Sequence, residues 1–183
     1  METYARYIMI DEREFEKFAG LKPSDMLLRM TALERSNDVL NIKRFWDGLH
    51  FLLTGLPSDK IDVCNKGPIS QGILGSEELN DEGTIAQITH ADLERIIRAY
   101  NAIDVNALKL RFDPKQFQQA RIYPYNWLEE DNELLLKYLL SALHQISSFH
   151  NEAYENNMHV MIRIGKLGKK SFSSTCRRSR NLA

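Results

Sequence analysis

Apolar positions along this chain follow two periods, and the switches between them outline the elements. Residues 4–10 are aromatic and β-branched and read as a strand. Asp11 opens a helix, with Glu14 three residues on completing a capping box. Gly20 and Pro23 break that run. Ser24 is placed to cap a second helix with Met26, Leu27, Met30 and Leu33 on one side. A third helix is expected over residues 42–54. At about 100° per residue, Phe45, Trp46, Leu49, Leu52 and Leu53 share its main face with Ile42. Lys43, Asp47, His50 and Thr54 form a polar flank, and Phe51 lies opposite the main face. A helix apolar on more than one side is normally central, and Gly55 supplies its stop.

Beyond this point the signals are mostly caps and breaks. Residues 56–66 read as a loop, Pro68 begins a short helix ending at Gly75, and residues 76–83 are acidic and loop-like. Residues 84–88 read as a strand. Thr89 with Asp92 repeats the capping box ahead of a helix that buries Leu93, Ile96, Ile97 and Tyr100. Asp104 and Asp113 each cap a short helix. Ile122-Tyr123-Pro124 ends that run, because the residue before proline avoids helical geometry. The longest helix is expected from near Glu129, with an acidic first turn favoured by the helix dipole. Its core side carries Leu135, Leu139, Leu143, Ile146 and Phe149. Asn156-Asn157 closes it, and residues 158–164 read as a strand. Two terminal strands around helices predict an α+β fold in one domain over residues 1–164. Both terminal strands would lie in one small sheet packed with several α-helices.

Composition changes the picture in one respect. The formal charge of −1 for 183 residues hides an asymmetry. Residues 165–183 hold six basic side chains and no acidic one, which leaves 18 basic and 25 acidic residues before them. An acidic body is a poor phosphate-binding surface, so nucleic acid is not the expected partner. The basic tail cannot bury enough apolar surface to offset its ordering entropy and is read as a disordered or non-native extension. The two cysteines, Cys64 and Cys176, lack metal or redox spacing and suggest no disulfide framework. The first residues have no signal-peptide pattern, and no apolar run approaches the ~20 residues of a membrane span. A cytoplasmic protein is the expectation.

Ordered blocks then carry a resemblance. Phe45-Trp46-Asp47-Gly48-Leu49-His50-Phe51-Leu52-Leu53-Thr54-Gly55 comes first, followed by Pro68-Ile69-Ser70-Gln71-Gly72-Ile73-Leu74-Gly75. Ile88-Thr89, Arg111-Phe112-Asp113-Pro114 and Ile122-Tyr123-Pro124 follow in order. Together they resemble the YfbM-like family, a bacterial family of unknown function, over nearly all of residues 1–164. The resemblance implies an α+β single domain and brings no reaction, substrate or cofactor. Where that family carries an arginine in a glycine- and proline-bearing run, this chain has Glu82-Gly83-Thr84-Ile85-Ala86-Gln87, so no arginine role transfers.

Candidate chemistry is sparse. Asp47 and His50 stand three apart on one helix flank, where a carboxylate can orient an imidazole as the base half of a hydrolytic site. They are the only catalytic candidates, and a nucleophile in a recognisable setting is missing. The competing reading is a histidine at the core edge, satisfied for stability alone. Ser70 lacks the first glycine of a nucleophile elbow and is expected in helix or loop hydrogen bonding. The glycines at 67, 72 and 75 match no phosphate loop. None of His50, His90, His144, His150 and His159 forms an i, i+4 pair, so no metal site and no cofactor are expected. His150, in the stripe of the long helix, reads as a core histidine. Tyr123, Tyr125 and Trp127 surround Pro124; they either line a pocket or partner surface or staple a loop to the core.

The leading functional expectation is a non-catalytic binding or interaction protein with a protein partner, immunity- or regulator-like. The alternative is a hydrolase-like enzyme using His50 with Asp47. Any binding site is expected to have Trp46, Asp47, His50 and Thr54 on one wall and Tyr123 and Trp127 on the other. A deep pocket floored by His50 would favour the enzyme, and an exposed aromatic patch the binding protein.

Overall fold

Among the described residues, five antiparallel strands form one sheet with helices on both faces. The computed structural model describes residues 3–61, 66–80 and 84–165. The elements are β1 (Ala5–Ile10), α1 (Glu12–Glu16), α2 (Pro23–Ser36), β2 (Val39–Lys43), α3 (Trp46–Thr54), α4 (Pro68–Leu74), β3 (Glu77–Glu78), β4 (Ile85–Ile88), α5 (His90–Asn101), α6 (Val105–Arg111), α7 (Pro114–Gln119), α8 (Asn132–Glu155) and β5 (His159–Ile164). A 3-10 turn, Ser58–Lys60, follows α3. The strand order is β2-β1-β5-β4-β3. The terminal strands are central neighbours, from Ala5 opposite Ile164 to Ile10 opposite His159. The α+β class and the shared sheet of both terminal strands follow the sequence expectation.

The period of two explains the layers. Ala5, Tyr7, Ala86, Ile88, Val160 and Ile162 point into the larger core beneath α3 to α8. Ile8, Ile10, Ile85 and Met161 point the other way, onto Phe18, Met26, Met30 and Leu33 beside α1 and α2. With both faces covered, β5 is buried at every position but Arg163. Arg6 and Arg163 reach the Glu34 carboxylate at 2.6 and 3.2 Å and tie α2 to the sheet.

Four expectations need correction. Ile42 and Lys43 belong to β2 rather than to the third helix; Lys43 turns at φ 52, and the helix begins only at Trp46. Ser24 is not a cap. Pro23, whose fixed φ suits a first helical position, starts α2 after Lys22, and Leu27 is 44% exposed. Residues 76–83 contain a two-residue edge strand, Glu77–Glu78, paired with Gln87 and Ala86. The longest helix begins at Asn132, with Asp131 as its cap, so the acidic residues at 129 and 130 precede it. Asp11, Thr89, Asp104 and Asp113 do accept from first-turn amides, and Gly55 ends α3 at φ 73. The basic tail beyond Gly165 and both cysteines lie outside the described residues. Among the described residues, no helix is long and apolar enough to cross a membrane.

Candidate functional site

The candidate residues of α3 point into different surroundings. Gly48 lets α3 lie against the loop before α8: a Cβ there would stand 2.3 Å from the Trp127 ring. Trp127 is therefore core. It is 1% exposed, donates its indole N–H to the Ile122 carbonyl at 2.8 Å and packs on Phe117 with ring centroids 4.6 Å apart. It is no pocket wall. Trp46, half-buried, keeps a buried indole nitrogen without a hydrogen-bond partner.

Asp47 and His50 do not form the expected pair, because each carries other bonds. Asp47 accepts from the Ser58 hydroxyl at 2.7 Å and from the Tyr123 backbone N–H at 2.8 Å. It thus pins the turn after α3 and the Tyr123 loop to one carboxylate. Burial raises its pKa, and the Ser58 and Tyr123 bonds oppose that rise. His50 faces α4 instead. Its Nδ1 lies 3.1 Å from the Leu56 carbonyl, which can only accept, so Nδ1 carries the proton. Nε2 is left to accept from the Ser70 hydroxyl at 2.9 Å. Burial lowers the His50 pKa to about 4, so the ring is neutral near pH 7. Thr54 donates to the His50 carbonyl at 2.8 Å and shares the Leu56 carbonyl at 3.2 Å. Asp47 and Tyr123 therefore meet, and His50 and Thr54 meet; the four α3 residues do not form one wall.

The His50–Ser70 bond belongs to a larger polar seam around α4. The Tyr100 hydroxyl donates to the Ile69 carbonyl at 3.2 Å, His150 Nε2 to the Gly72 carbonyl at 2.9 Å, and the Tyr7 hydroxyl to the Ile73 carbonyl at 2.9 Å. The carbonyls of Gly72 and Ile73 are in the last turn of α4, where they have no partner within the helix. Gly72 is required there, since a Cβ would meet the Tyr100 hydroxyl at 2.6 Å. Burial raises the Tyr7 and Tyr100 pKa values and lowers that of His150 to about 4. The His150 Nδ1 is buried without a partner.

A serine hydroxyl on an oriented, neutral imidazole is the base half of nucleophilic catalysis. Here Ser70 is 4% exposed and His50 0%, and both imidazole nitrogens are occupied. As it stands the pair joins α3 to α4. Sequence reasoning missed this seam, because Ser70, Tyr7 and Tyr100 come from three distant elements. Among the described residues, no group of three or more His, Cys, Asp or Glu is arranged to hold a metal ion.

An open face lies on the far side of the Asp47–Tyr123 contact. Tyr123 is half-buried; its hydroxyl accepts from the Thr3 N–H at 2.9 Å, and its ring meets Tyr125 edge-on at 5.6 Å. Tyr125 is 58% exposed and sits at φ 74, an uncommon backbone state for an aromatic residue. Leu128 is equally exposed, and Leu134 and Tyr138, one turn apart on α8, are each 41% exposed. Contacts run from Tyr138 to the loop that carries Tyr125. Tyr138 packs on Phe45 at 5.1 Å, and Arg44 lies over the Phe45 ring and reaches Glu130 at 2.7 Å. Glu130 in turn accepts from the Asn126 side chain at 3.0 Å, beside Tyr125. The aromatic cluster around Pro124 thus divides: Trp127 staples the loop, and Tyr125 faces outward.

The fold and these sites define a single α+β domain with a sealed polar seam and an aromatic outer face. The chain belongs to the family described as a domain of unknown function (DUF1877), whose model matches residues 1–163. It is similar to Protein YfbM of Escherichia coli (strain K12), 28% identical over 130 residues, covering 69% of this chain and 77% of that protein. The crystal structure of the Escherichia coli protein of unknown function YfbM has the same fold. It superposes with a TM-score of 0.74 at 22% identity, over 90% of this chain and 100% of that one.

Proposed function

We propose that this protein is a non-catalytic binding protein of the bacterial cytosol, immunity- or regulator-like, that engages a protein partner through the face built on residues 123–138. The observation that carries the reading is exposure. Tyr125, Leu128, Leu134 and Tyr138 are four exposed large apolar side chains within residues 125–138, whereas His50 and Ser70 are sealed. Exposed contiguous apolar surface favours an interface, and aromatic side chains give large contact area there. Of the residues first expected at a binding site, Asp47 and Tyr123 underlie this face. His50, Thr54 and Trp127 support the interior behind it. The test is affinity capture from the native host with mass spectrometry, using wild type and a Tyr125→Ala/Tyr138→Ala variant. A specific protein recovered by the wild type and lost with the variant is the expected result. Equal recovery by both would overturn the assignment of the face.

A hydrolase-like enzyme using His50 is the second reading, and the Ser70 hydroxyl on Nε2 is the observation in its favour. It would use Ser70 in place of the Asp47 first considered. Turnover in a broad ester and amide screen, abolished by His50→Ala and by Ser70→Ala in folded protein, would establish it over the first.

A further inference from the structure

The partner face has a charge as well as a shape. Between Tyr123 and Leu134 the chain carries Glu129, Glu130, Asp131 and Glu133 and no basic residue. Glu130 is ion-paired with Arg44, and Asp131 accepts from the Leu134 N–H as the cap of α8. Glu129, Asp131 and Glu133 are exposed among the apolar side chains of Leu128 and Leu134. On the other side of Tyr125, Asp59 is exposed next to Ser58, whose hydroxyl holds the Asp47 carboxylate. Among the described residues, the exposed cations nearest in sequence to Arg44, Asp59 and the acidic run are Lys43, Lys60, Arg121 and Lys137, and the acidic run itself lies between Tyr125 and the first turn of α8. The Tyr125 ring meets Tyr123, whose backbone N–H donates to Asp47, and the Ser58 next to Asp59 donates to the same carboxylate. The Tyr125 hydroxyl pKa is raised, by burial first and then by Asp47, Tyr123 and Asp59.

Resting on the binding reading above, we infer that the occupant of this face is a basic segment of a partner protein carrying arginine beside apolar residues, with a guanidinium stacked on the exposed Tyr125 ring within the field of Asp59 and Glu129, and apolar side chains on Leu128, Leu134 and Tyr138. Charge complementarity selects the sign of the partner, and the ring selects arginine over lysine. A planar guanidinium stacks on an aromatic face and hydrogen-bonds carboxylates in the same plane, whereas an ammonium is a compact, strongly hydrated point charge. The apolar side chains give the contact a short-range component that salt does not screen.

The experiment uses the full chain and a short fluorescein-labelled peptide alternating arginine with leucine, read by fluorescence anisotropy. Counterparts replace arginine with lysine or with glutamate. The arginine peptide binds, the lysine peptide binds more weakly and the glutamate peptide does not. Tyr125→Ala weakens binding about fivefold, the size expected for losing one stacked cation. Asp59→Asn/Glu129→Gln weakens it and flattens its salt dependence between about 0.05 and 0.5 M. Glu152→Gln/Glu155→Gln, at the far end of α8, leaves it unchanged. Equal losses in the two acidic double variants would reduce the effect to net charge and overturn the inference, as would equal binding of the glutamate peptide. Arginine-peptide binding that appears only once residues 166–183 are removed would assign the face to this chain's own basic end. Concentration-dependent self-association abolished by Tyr125→Ala would assign it to a second copy. Melting curves within a degree or so of wild type confirm that each variant is folded. If host capture recovers a partner through this face that presents an acidic or neutral segment, the binding reading stands and this inference falls. If neither host capture nor the peptide shows binding, both fall.

Discussion

Tyr7 and Tyr100 differ from Tyr125 and Tyr138 in what surrounds them, and that contrast separates two regions of the molecule. The first pair is buried, and each hydroxyl is committed to a carbonyl of α4. The second pair is open to solvent, 58% and 41% exposed, with Tyr138 packed on Phe45 and Tyr125 on Tyr123. The seam around α4 holds most of the residue types that suggest chemistry, including two buried histidines and a serine. It turns them inward on helix carbonyls and on one another. Buried polar groups need partners whatever their function, so a His–Ser bond is not itself evidence of catalysis. Access to solvent separates the two regions, and residue type alone does not.

The largest effect that could break this contrast is acid unfolding. His50 and His150 have folded pKa values near 4, against an ordinary 6.5. Between those pH values the unfolded chain binds protons that the native protein excludes. Their contribution is therefore complete above about pH 6.5 and is lost as pH falls through 4, at roughly 3 kcal/mol or less for each ring. Asp47 works in the opposite sense, since its raised pKa makes the native state the better proton acceptor at that site. Denaturant melts from pH 7 to pH 4 should show the net loss, reduced in His150→Phe. A flat profile would mean that the seam opens to water. Next in size, Trp127→Ala should cost about 3–5 kcal/mol by emptying core volume. Peptide binding at temperatures where that variant stays folded should persist, because the ring does not reach the outer face. His50→Ala comes third, at about 1–3 kcal/mol from the orphaned, buried Ser70 hydroxyl and the lost imidazole packing. Partner capture should be unchanged; capture lost without a change in melting would return His50 to the site. The smallest effect belongs to Leu134→Ser with Tyr138→Ser. It should shift stability by less than about 1 kcal/mol, as surface changes usually do, while host capture falls sharply.

Most of the fold was legible in the chain because its signals are local. The capping boxes at Asp11 and Thr89, the stop at Gly55 and the long stripe of α8 all act within a turn or two of their own sequence. Ile42 and Lys43, the end of β2, read as helix because the apolar positions run on into those of α3. The boundary is set at Lys43 by a backbone state that no residue pattern announces. β3 is two glutamates that become a strand only by pairing with β4. The same limit governed the candidate site. Helical spacing correctly placed Asp47 and His50 on one helix, but their partners, Ser58, Tyr123, Ser70 and Leu56, were chosen by how other segments pack against α3. The exposed face at 123–138 left a partial trace in the sequence as aromatics around Pro124. Only burial could divide Trp127 from Tyr125.

The pairing of β1 with β5 has a consequence for how the chain acquires its structure. The two strands at the centre of the sheet are the first and the last along the described chain, so neither has its main partner until almost all of that sequence is available. On the ribosome, β1 would leave the exit tunnel with an apolar surface on each face and wait for β5. Contacts between such distant segments carry a large loop-closure entropy and slow folding. A protein built this way closes late and as a whole. Its early intermediates can pair β1 with β2 but leave the other edge of β1 open until the final strand is inserted.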